Sequence, residues 1–213
     1  MSEWYNFYEA RMNDQYRNHI RTHYRFFIDE VIKRTKPNSV LCEVGCGMGN
    51  ITSELERLRP GHFHLMIDRD PQMLKLTDAN CGHVLDKKLI LGDITTNWTE
   101  NCIMPPYIRA TIHGHGVLEH MTDEQIQATI AQQKRFSDLI LHYVPSYKYK
   151  TPSFGDERLM KPENWQKICQ PTEILQFNDG FDLVLVWDCK KLSGSDSSEH
   201  KSSLTDDHNY VIV

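Results

Sequence analysis

Short apolar runs alternate with helical segments along the chain from residue 39 to residue 144. Five of these runs have the length and composition of buried strands and cover residues 39–44, 62–67, 88–91, 110–113 and 138–144. Helical patterns lie between them, at 51–58, from Pro71 onward and at 123–136. Strands and helices that alternate at this interval require a mostly parallel sheet covered on both faces. Connection and handedness rules then favour a doubly wound α/β fold.

Both ends of the chain extend this core. Residues 1–36 carry aromatic and apolar side chains at helical spacing, which predicts an N-terminal helical extension that ends at Pro37. A short helix is predicted at 162–169, and residues 181–188 and 209–213 are predicted to form an antiparallel C-terminal hairpin. A serine-rich segment at 190–206 is expected to be a flexible loop between those two strands. The prediction is one domain, residues 1–213, with a seven-stranded, mostly parallel sheet.

Composition excludes several classes of protein. No run approaches the roughly 20 apolar residues that span a bilayer, so we expect no membrane segment. The aromatic, mixed-charge start does not resemble a secretory signal, so the six cysteines are expected as reduced thiols in the cytoplasm. A net charge of −5 disfavours a broad nucleic-acid surface but still allows a local one. Composition does not constrain the oligomeric state.

A glycine-rich turn follows the first predicted strand. Residues 43–49 read EVGCGMG, so the strand delivers Glu43 into a turn that carries Gly45, Gly47 and Gly49 and opens a helix. Glycines allow a backbone to approach a ligand closely, because a Cβ atom would collide with it or forbid the torsion angles. The alternative interpretation is a tight strand–helix connection that binds nothing.

An acidic residue ends the second predicted strand, 19 residues after Gly49. A carboxylate at this position, Asp68, accepts hydrogen bonds from ribose hydroxyls in nucleotide-binding units of this fold, although it also suits a helix N-cap. Two ligands fit these features, a dinucleotide and S-adenosylmethionine. A dinucleotide fingerprint needs glycine three residues after Gly47, where this chain has Asn50, so the spacing disfavours NAD.

Four segments in order resemble the characteristic blocks of the class I S-adenosylmethionine-dependent methyltransferases. Between residue 38 and about residue 145 they read VLCEVGCGMGNIT, HLMIDRDPQML, LILGDITT and IHGHGVLEHMTDEQI. The resemblance implies that the core at 38–145 binds the cofactor, that residues 1–36 form a cap, and that 146–213 provide the substrate side. It departs from the family pattern at Met48, where small residues are frequent.

The resemblance also implies roles for individual residues. The loop residues Gly45, Cys46 and Gly47 would contact the methionine and ribose portions of the cofactor. Beneath them, Glu43 would hold loop amides or the amino group. The remaining cofactor contacts would be Asp68 to the ribose with Arg69 beside it, Asp93 to the adenine amine, Ile94 on the adenine face, and the backbone around His113 at the methionine end.

Candidate catalytic residues lie at the end of the fourth strand. His113 and His115 are two residues apart, so an extended strand points both side chains to one face. Histidine exchanges protons near neutral pH, and we rank His115 first and His113 second as a general base. The alternative is that these imidazoles only shape the pocket. We expect no metal, because no carboxylate or cysteine completes a ligand set with His113, His115 and His142.

The sequence therefore predicts an enzyme that transfers a methyl group from S-adenosylmethionine to an oxygen or nitrogen atom of a small-molecule acceptor. Aromatic residues of the N-terminal extension and of the segment 143–154 would line the acceptor pocket. The alternatives are methylation of a protein or nucleic acid, a non-catalytic S-adenosylmethionine-binding subunit, and an NAD-dependent oxidoreductase. The Asn/Asp-Pro-Pro-Tyr motif of DNA amino-methylating enzymes is absent after the fourth strand; residues 104–107, MPPY, precede it.

Overall fold

A computed structural model describes residues 3–96 and 109–190 of the chain. Its centre is one seven-stranded sheet with the strand order β3-β2-β1-β4-β5-β7-β6. The strand β7 runs antiparallel to both of its neighbours, and the remaining pairs are parallel. The strands are β1 (Val40–Val44), β2 (Phe63–Asp68), β3 (Lys87–Leu91), β4 (Ala110–His115), β5 (Ser137–Pro145), β6 (Glu173–Phe177) and β7 (Asp182–Asp188).

Seven helices accompany the sheet within the described ranges. They are α1 (Glu3–Glu9), α2 (Asp14–His23), α3 (Arg25–Arg34), α4 (Asn50–Leu58), α5 (Pro71–Asn80), α6 (Asp123–Phe136) and α7 (Pro162–Cys169). Apolar side chains of α2, α3 and α4 pack on one face of the sheet, against Leu41, Leu141 and Val184. Side chains of α6 and α7 pack on the other face, against Ile112 and Trp187. The doubly wound α/β fold predicted from the alternation is therefore confirmed.

Local sequence explains where the central helices begin. The side chain of Thr122 accepts a hydrogen bond from the backbone N–H of Gln125, and the Gln125 side chain accepts one from the backbone N–H of Thr122. This capping box fixes the start of α6 at the predicted residue. At α5, the Asp70 carboxylate caps the backbone N–H of Gln72, and Pro71 occupies the first helical turn.

The N-terminal extension is not one continuous helix. Its helical periodicity predicts the apolar face correctly, but the chain breaks twice and forms α1, α2 and α3. The first break occurs where the Asn13 side chain caps the backbone N–H of Tyr16 and starts a new helix. The second break is at Tyr24, which ends α2 and precedes α3.

The predicted antiparallel C-terminal hairpin is confirmed, and it contains β6, a strand that the sequence did not predict. The strand β7 pairs with β5 on one side and with β6 on the other, so both of its edges are occupied. The hairpin in the described residues joins 173–177 to 182–188, and residues 209–213, which were expected to pair with β7, lie outside the described part of the chain. Residues 191–213, which include most of the expected loop, lie outside the described part of the chain, as does the MPPY segment.

No helix in the described ranges combines the length and the apolar character that crossing a bilayer requires.

Candidate functional site

A cavity opens at the carboxyl ends of β1, β2, β3 and β4, the edge where ligands of open α/β sheets bind. Seven of the residues predicted for the site line this cavity, namely Gly45, Gly47, Asp68, Arg69, Asp93, Ile94 and His115. Three others, Glu43, Cys46 and His113, are buried beside it without lining it. The fold thus gathers residues from four separate strand ends around one space.

The loop after β1 requires glycine for two physical reasons. Gly45, Gly47 and Gly49 all have positive φ angles, of 62°, 54° and 69°, which side chains strongly disfavour. At Gly45 a Cβ atom would also lie 2.8 Å from the Cγ2 atom of Val117, and at Gly49 it would lie 2.7 Å from the Cys81 Sγ atom. The loop therefore exposes its backbone toward the cavity at Gly45 and Gly47.

Asp68 connects the second strand to this loop. Its Oδ2 atom accepts a hydrogen bond from the backbone N–H of Gly47 at 2.9 Å, and its Oδ1 atom accepts one from Asp70 N–H at 2.9 Å. Burial raises the pKa of Asp68, although these two backbone N–H groups act to lower it. A carboxylate oxygen can accept two hydrogen bonds and each Asp68 oxygen accepts one here, so the side chain retains capacity toward ligand hydroxyls in the cavity.

Glu43 is buried at the end of β1 and accepts hydrogen bonds from the helix α4 that follows the loop. Its Oε2 atom accepts hydrogen bonds from the Thr52 backbone N–H at 3.1 Å and from the Thr52 hydroxyl at 2.6 Å. Thr52 lies in the first turn of α4, where the helix dipole favours a negative charge. Burial raises the pKa of Glu43 to about 7, against the lowering effect of the Thr52 donors. Its observed contact is thus with α4 and not with the loop amides.

Asp93 and Ile94 form the wall after β3. The Asp93 Oδ1 atom accepts hydrogen bonds from the backbone N–H and the hydroxyl of Thr95, at 2.9 Å and 2.7 Å. Partial burial acts to raise the pKa of Asp93, but the Thr95 donors outweigh it and the pKa is lowered. Ile94 is only 6% exposed and presents an apolar side chain to the same space.

The side chains of Cys46 and Met48 do not line the cavity and pack in two small clusters of buried side chains. The Cys46 Sγ atom lies 3.7 Å from the Thr77 Oγ1 atom, and burial raises the pKa of this thiol. Met48 packs with Met73 of α5 and with aromatic residues of the first two helices, among them Tyr8. The bulky residue in the glycine loop therefore anchors the N-terminal helices.

The two candidate histidines of β4 occupy different depths. The ring of His113 is fully buried, neither of its nitrogens has a hydrogen-bond partner among the described residues, and burial lowers its pKa to about 3. His115 lines the cavity, where its ring stacks on Tyr143 with centroids 4.6 Å apart and meets the edge of Tyr24 at 4.1 Å. Burial also lowers the pKa of His115 to about 3. The strand places both rings on one face, but only His115 reaches the cavity.

The sequence indicates Tyr8 among the aromatic residues of the N-terminal extension that would cover the pocket, but it does not single out Trp4. Trp4 and Tyr8 of α1 line the cavity, and their rings stack with centroids 6.1 Å apart. Trp4 also contacts Phe154 at 4.5 Å and His120 at 5.2 Å. The aromatic content of residues 1–16 was a signal for a wall, but the two helix breaks that bring α1 over the sheet edge were not foreseen.

No protein-family model and no curated protein sequence matches this chain. Solved structures do match its fold. Magnesium protoporphyrin IX methyltransferase from Synechocystis PCC 6803, with bound S-adenosylmethionine, has a TM-score of 0.56 and 17% identity over 79% of this chain and 81% of that chain. Human N-acetylserotonin methyltransferase in complex with S-adenosylmethionine has a TM-score of 0.56 and 12% identity.

The small RNA methyltransferase HEN1 matches with a TM-score of 0.59 and 15% identity over 76% of this chain. This chain spans 54% of the human enzyme's chain and 24% of the HEN1 chain, well below two thirds of either. At these identities the likeness concerns the fold. The chain has the Rossmann-like fold of the class I S-adenosylmethionine-dependent methyltransferases.

Proposed function

We propose that this chain binds S-adenosylmethionine in the cavity and transfers its methyl group to an oxygen or nitrogen atom of a small molecule. One observation carries the proposal: three groups line a single cavity at the carboxyl edge of the sheet. They are the glycine loop after β1, the carboxylate of Asp68 at the end of β2, and the turn with Asp93 after β3. The three groups come from β1, β2 and β3, in the order expected for the methionine, ribose and adenine parts of the donor.

The residues present fit such a donor. The left-handed loop at Gly45 and Gly47 leaves room that a Cβ atom would fill, so a ligand can lie against the backbone. Asp68 is held rigidly by two backbone N–H groups and faces the cavity, where it would accept from the ribose hydroxyls. Asp93 would accept from the adenine amine, with Ile94 against the ring.

Bound S-adenosylmethionine would supply a methyl group that its sulfonium already activates, so the protein mainly has to align the acceptor and exclude water. We assign the alignment to His115. With a pKa of about 3 its imidazole is neutral throughout the physiological range, so it accepts a hydrogen bond from an acceptor O–H or N–H but is a weak base. His113 is enclosed away from the cavity and has no part in this proposal.

The aromatic wall favours a small acceptor. Trp4 and Tyr8 from α1, together with His115 and its stacked partner Tyr143, offer ring faces and edges near the cavity. Such surfaces suit a planar organic molecule. In this proposal residues 1–36 cap a donor-binding core at 38–145. The matched structures include an enzyme named for RNA, so a nucleic-acid acceptor is the principal alternative.

Calorimetric titration tests donor binding. We expect S-adenosylmethionine and its demethylated product to bind with one site per chain, and NAD to bind at least a hundredfold more weakly. Absence of heat with both sulfur ligands, on material that circular dichroism shows to be folded, would remove the proposal. Tight binding of NAD alone would favour the oxidoreductase.

Transfer of a labelled methyl group tests catalysis. The protein is incubated with methyl-tritiated S-adenosylmethionine and three acceptor pools: small phenols, carboxylic acids and amines; total RNA; and heat-treated protein extract. We expect label in the small-molecule pool. Label only in RNA or only in protein would identify that macromolecule as the acceptor and contradict the small-molecule proposal. Donor binding without transfer to any pool would favour a non-catalytic subunit.

A further inference from the structure

A second group of chemically active side chains lies at the edge of the cavity. Glu119 and His120 belong to a short 3-10 helix directly after β4, and Glu157 belongs to the connection between β5 and α7. One possible ligating atom from each of these three residues lies within 4.8 Å of the other two. A backbone hydrogen bond of 3.0 Å, from Arg158 N–H to the Glu119 carbonyl, fixes the two segments together.

This group has an excess of negative charge. Asp156 adds a third carboxylate, whose Oδ1 atom lies 2.8 Å from the His120 Nδ1 atom. The neighbouring Arg158 directs its guanidinium group to the Met121 carbonyl and the Asp123 carboxylate instead. Across the described ranges, no lysine or arginine forms an ion pair with Glu119 or Glu157. Within the described residues, the one basic side chain that pairs with this group is His120, whereas the Glu157 oxygens accept hydrogen bonds from the backbone N–H and the hydroxyl of Ser153, at 2.8 Å and 2.5 Å.

The buried carboxylate supplies an independent observation. Glu119 is 1% exposed, and its Oε2 atom has no hydrogen-bond partner among the described residues. A buried polar atom without a partner is costly, and a buried carboxylate is more so.

We propose that Glu119, His120 and Glu157 bind one divalent metal cation. The cation would neutralise the clustered carboxylates and coordinate the unpartnered Glu119 Oε2 atom. Ligand atoms at about 2.1 Å from a cation lie at most about 4.2 Å apart, so modest movement of the half-buried Glu157 side chain closes the observed spacing. One imidazole with carboxylates suits Mn²⁺, Fe²⁺, Co²⁺ or Zn²⁺ better than Mg²⁺ or Ca²⁺.

The sequence did not predict this site, because the candidate metal ligands that it offered were the histidines of β4 and β5.

The position of the site beside the cavity suggests a role for the cation. His120 also lines the cavity, as do the adjacent residues Gly116 and Val117, so a cation held here borders the space assigned to the acceptor. An acceptor bearing a hydroxyl, phenol or carboxylate oxygen would complete the coordination and be held beside the donor. This last step rests on the proposed function, whereas cation binding itself does not.

Titration of the full chain with MnCl₂, followed by electron paramagnetic resonance of free Mn²⁺ after chelator treatment, tests the site. We expect one bound Mn²⁺ per chain, and at least a tenfold loss of affinity in both Glu119→Gln and Glu157→Gln. The matched control is Glu163→Gln, an exposed residue of α7, which should bind as the unchanged protein does. Excess Zn²⁺ should displace Mn²⁺ more effectively than excess Mg²⁺.

The proposal is overturned if the unchanged protein binds no Mn²⁺ below 1 mM, or if Glu157→Gln binds it equally well. Glu157 is half-buried on a connecting segment, so this variant keeps the test valid even where Glu119→Gln fails to fold. Calorimetry with the demethylated donor on the same samples separates the two proposals. Donor binding without Mn²⁺ binding refutes the cation site alone, and the reverse result refutes the donor site alone.

Discussion

The backbone N–H of Gly47 donates a 2.9 Å hydrogen bond to the Oδ2 atom of Asp68, which joins the glycine loop of the first strand to the end of the second. The residue proposed to hold the ribose therefore also holds the loop proposed to hold the methionine portion. A substitution of Asp68 therefore affects both the ribose contact and the position of the glycine loop. Two different substitutions, one of which keeps the hydrogen bond to Gly47, separate these effects.

We predict that Asp68→Ala weakens binding of the demethylated donor by at least a hundredfold and that Asp68→Asn weakens it about tenfold. An asparagine keeps one oxygen to accept from Gly47 N–H but loses the charge and the second acceptor, whereas alanine loses both functions. Calorimetry provides the affinities, and Asp29→Ala on the exposed face of α3 is the control. Equal affinities for Asp68→Ala and the unchanged protein would disprove the ribose assignment.

Gly45→Ala should damage the loop and donor binding together. The φ angle of 62° costs an alanine about 1–2 kcal/mol, and its Cβ would lie 2.8 Å from Val117 Cγ2. We expect a lower melting temperature and at least a tenfold loss of affinity, with partial recovery in Gly45→Ala/Val117→Ala because only the collision is relieved. Gly82→Ala is the control, since no backbone strain arises there and its nearest neighbour would be 3.7 Å away. Unchanged affinity in Gly45→Ala would show that the loop does not contact the donor.

Local patterns account for most of the elements. The helix α6 begins at its predicted residue because Thr122 and Gln125 form a complete capping box that is visible in the sequence. The strand β6 was missed because EILQF is a half-buried edge strand without clear alternation. The more apolar segment NYVIV at 209–213 was predicted as the partner of β7 instead. Local patterns carry no information on which strand lies beside another in the sheet.

The loops that border the candidate site were predictable from the sequence, but the depth at which each side chain lies was not. Gly45, Asp68 and Asp93 follow strand ends, and every parallel strand ends at the same sheet edge, so chain order alone brings them together. The difference between His113 and His115 is one of depth along β4, which depends on how α3 and α4 cover the sheet. The approach of Glu157 to Glu119 depends on the irregular segment after β5, for which no periodic signal exists.

Removing the buried charge of Glu43 should flatten the dependence of stability on pH. The pKa of Glu43 is raised to about 7 in the folded chain from an ordinary 4.5, so between these values the folded state binds more protons than the unfolded state. The free energy of unfolding should therefore fall as pH rises from about 4.5 to about 7, by up to roughly 3 kcal/mol from this residue. In Glu43→Gln, an amide oxygen still accepts from Thr52 but does not titrate.

Urea unfolding at pH 5 and pH 8 measures the effect of Glu43. Because Glu119 titrates in the same direction, the informative quantity is the difference between the unchanged protein and Glu43→Gln at each pH. The variant should gain stability relative to the unchanged protein at pH 8 and not at pH 5. A constant difference at both values would show that Glu43 does not carry the raised pKa.

Met48→Ala should release the N-terminal helices from the glycine loop. Met48 is 1% exposed and packs with Met73 and aromatic residues of α1 and α2, so we expect a loss of about 2–5 kcal/mol. Hydrogen exchange should accelerate in residues 3–23 beyond its change elsewhere. Met160→Ala, a buried methionine packed in the cluster on the opposite face, is the matched control and should destabilise the chain without that local increase. Equal exchange in α1 for both variants would contradict an anchoring role.

The final prediction concerns His115, whose ring stacks on Tyr143 at the cavity wall. Because burial lowers its pKa to about 3, the imidazole stays neutral above pH 5, and the rate of methyl transfer should show no inflection near pH 6.5 from this residue. His115→Gln retains a hydrogen-bonding group without the aromatic stack and should lower kcat/KM at least tenfold, while affinity for the demethylated donor changes less than threefold. His83→Gln, at an exposed position after α5, is the control. An inflection between pH 6 and 7 that His115→Gln abolishes would instead identify His115 as a titrating general base.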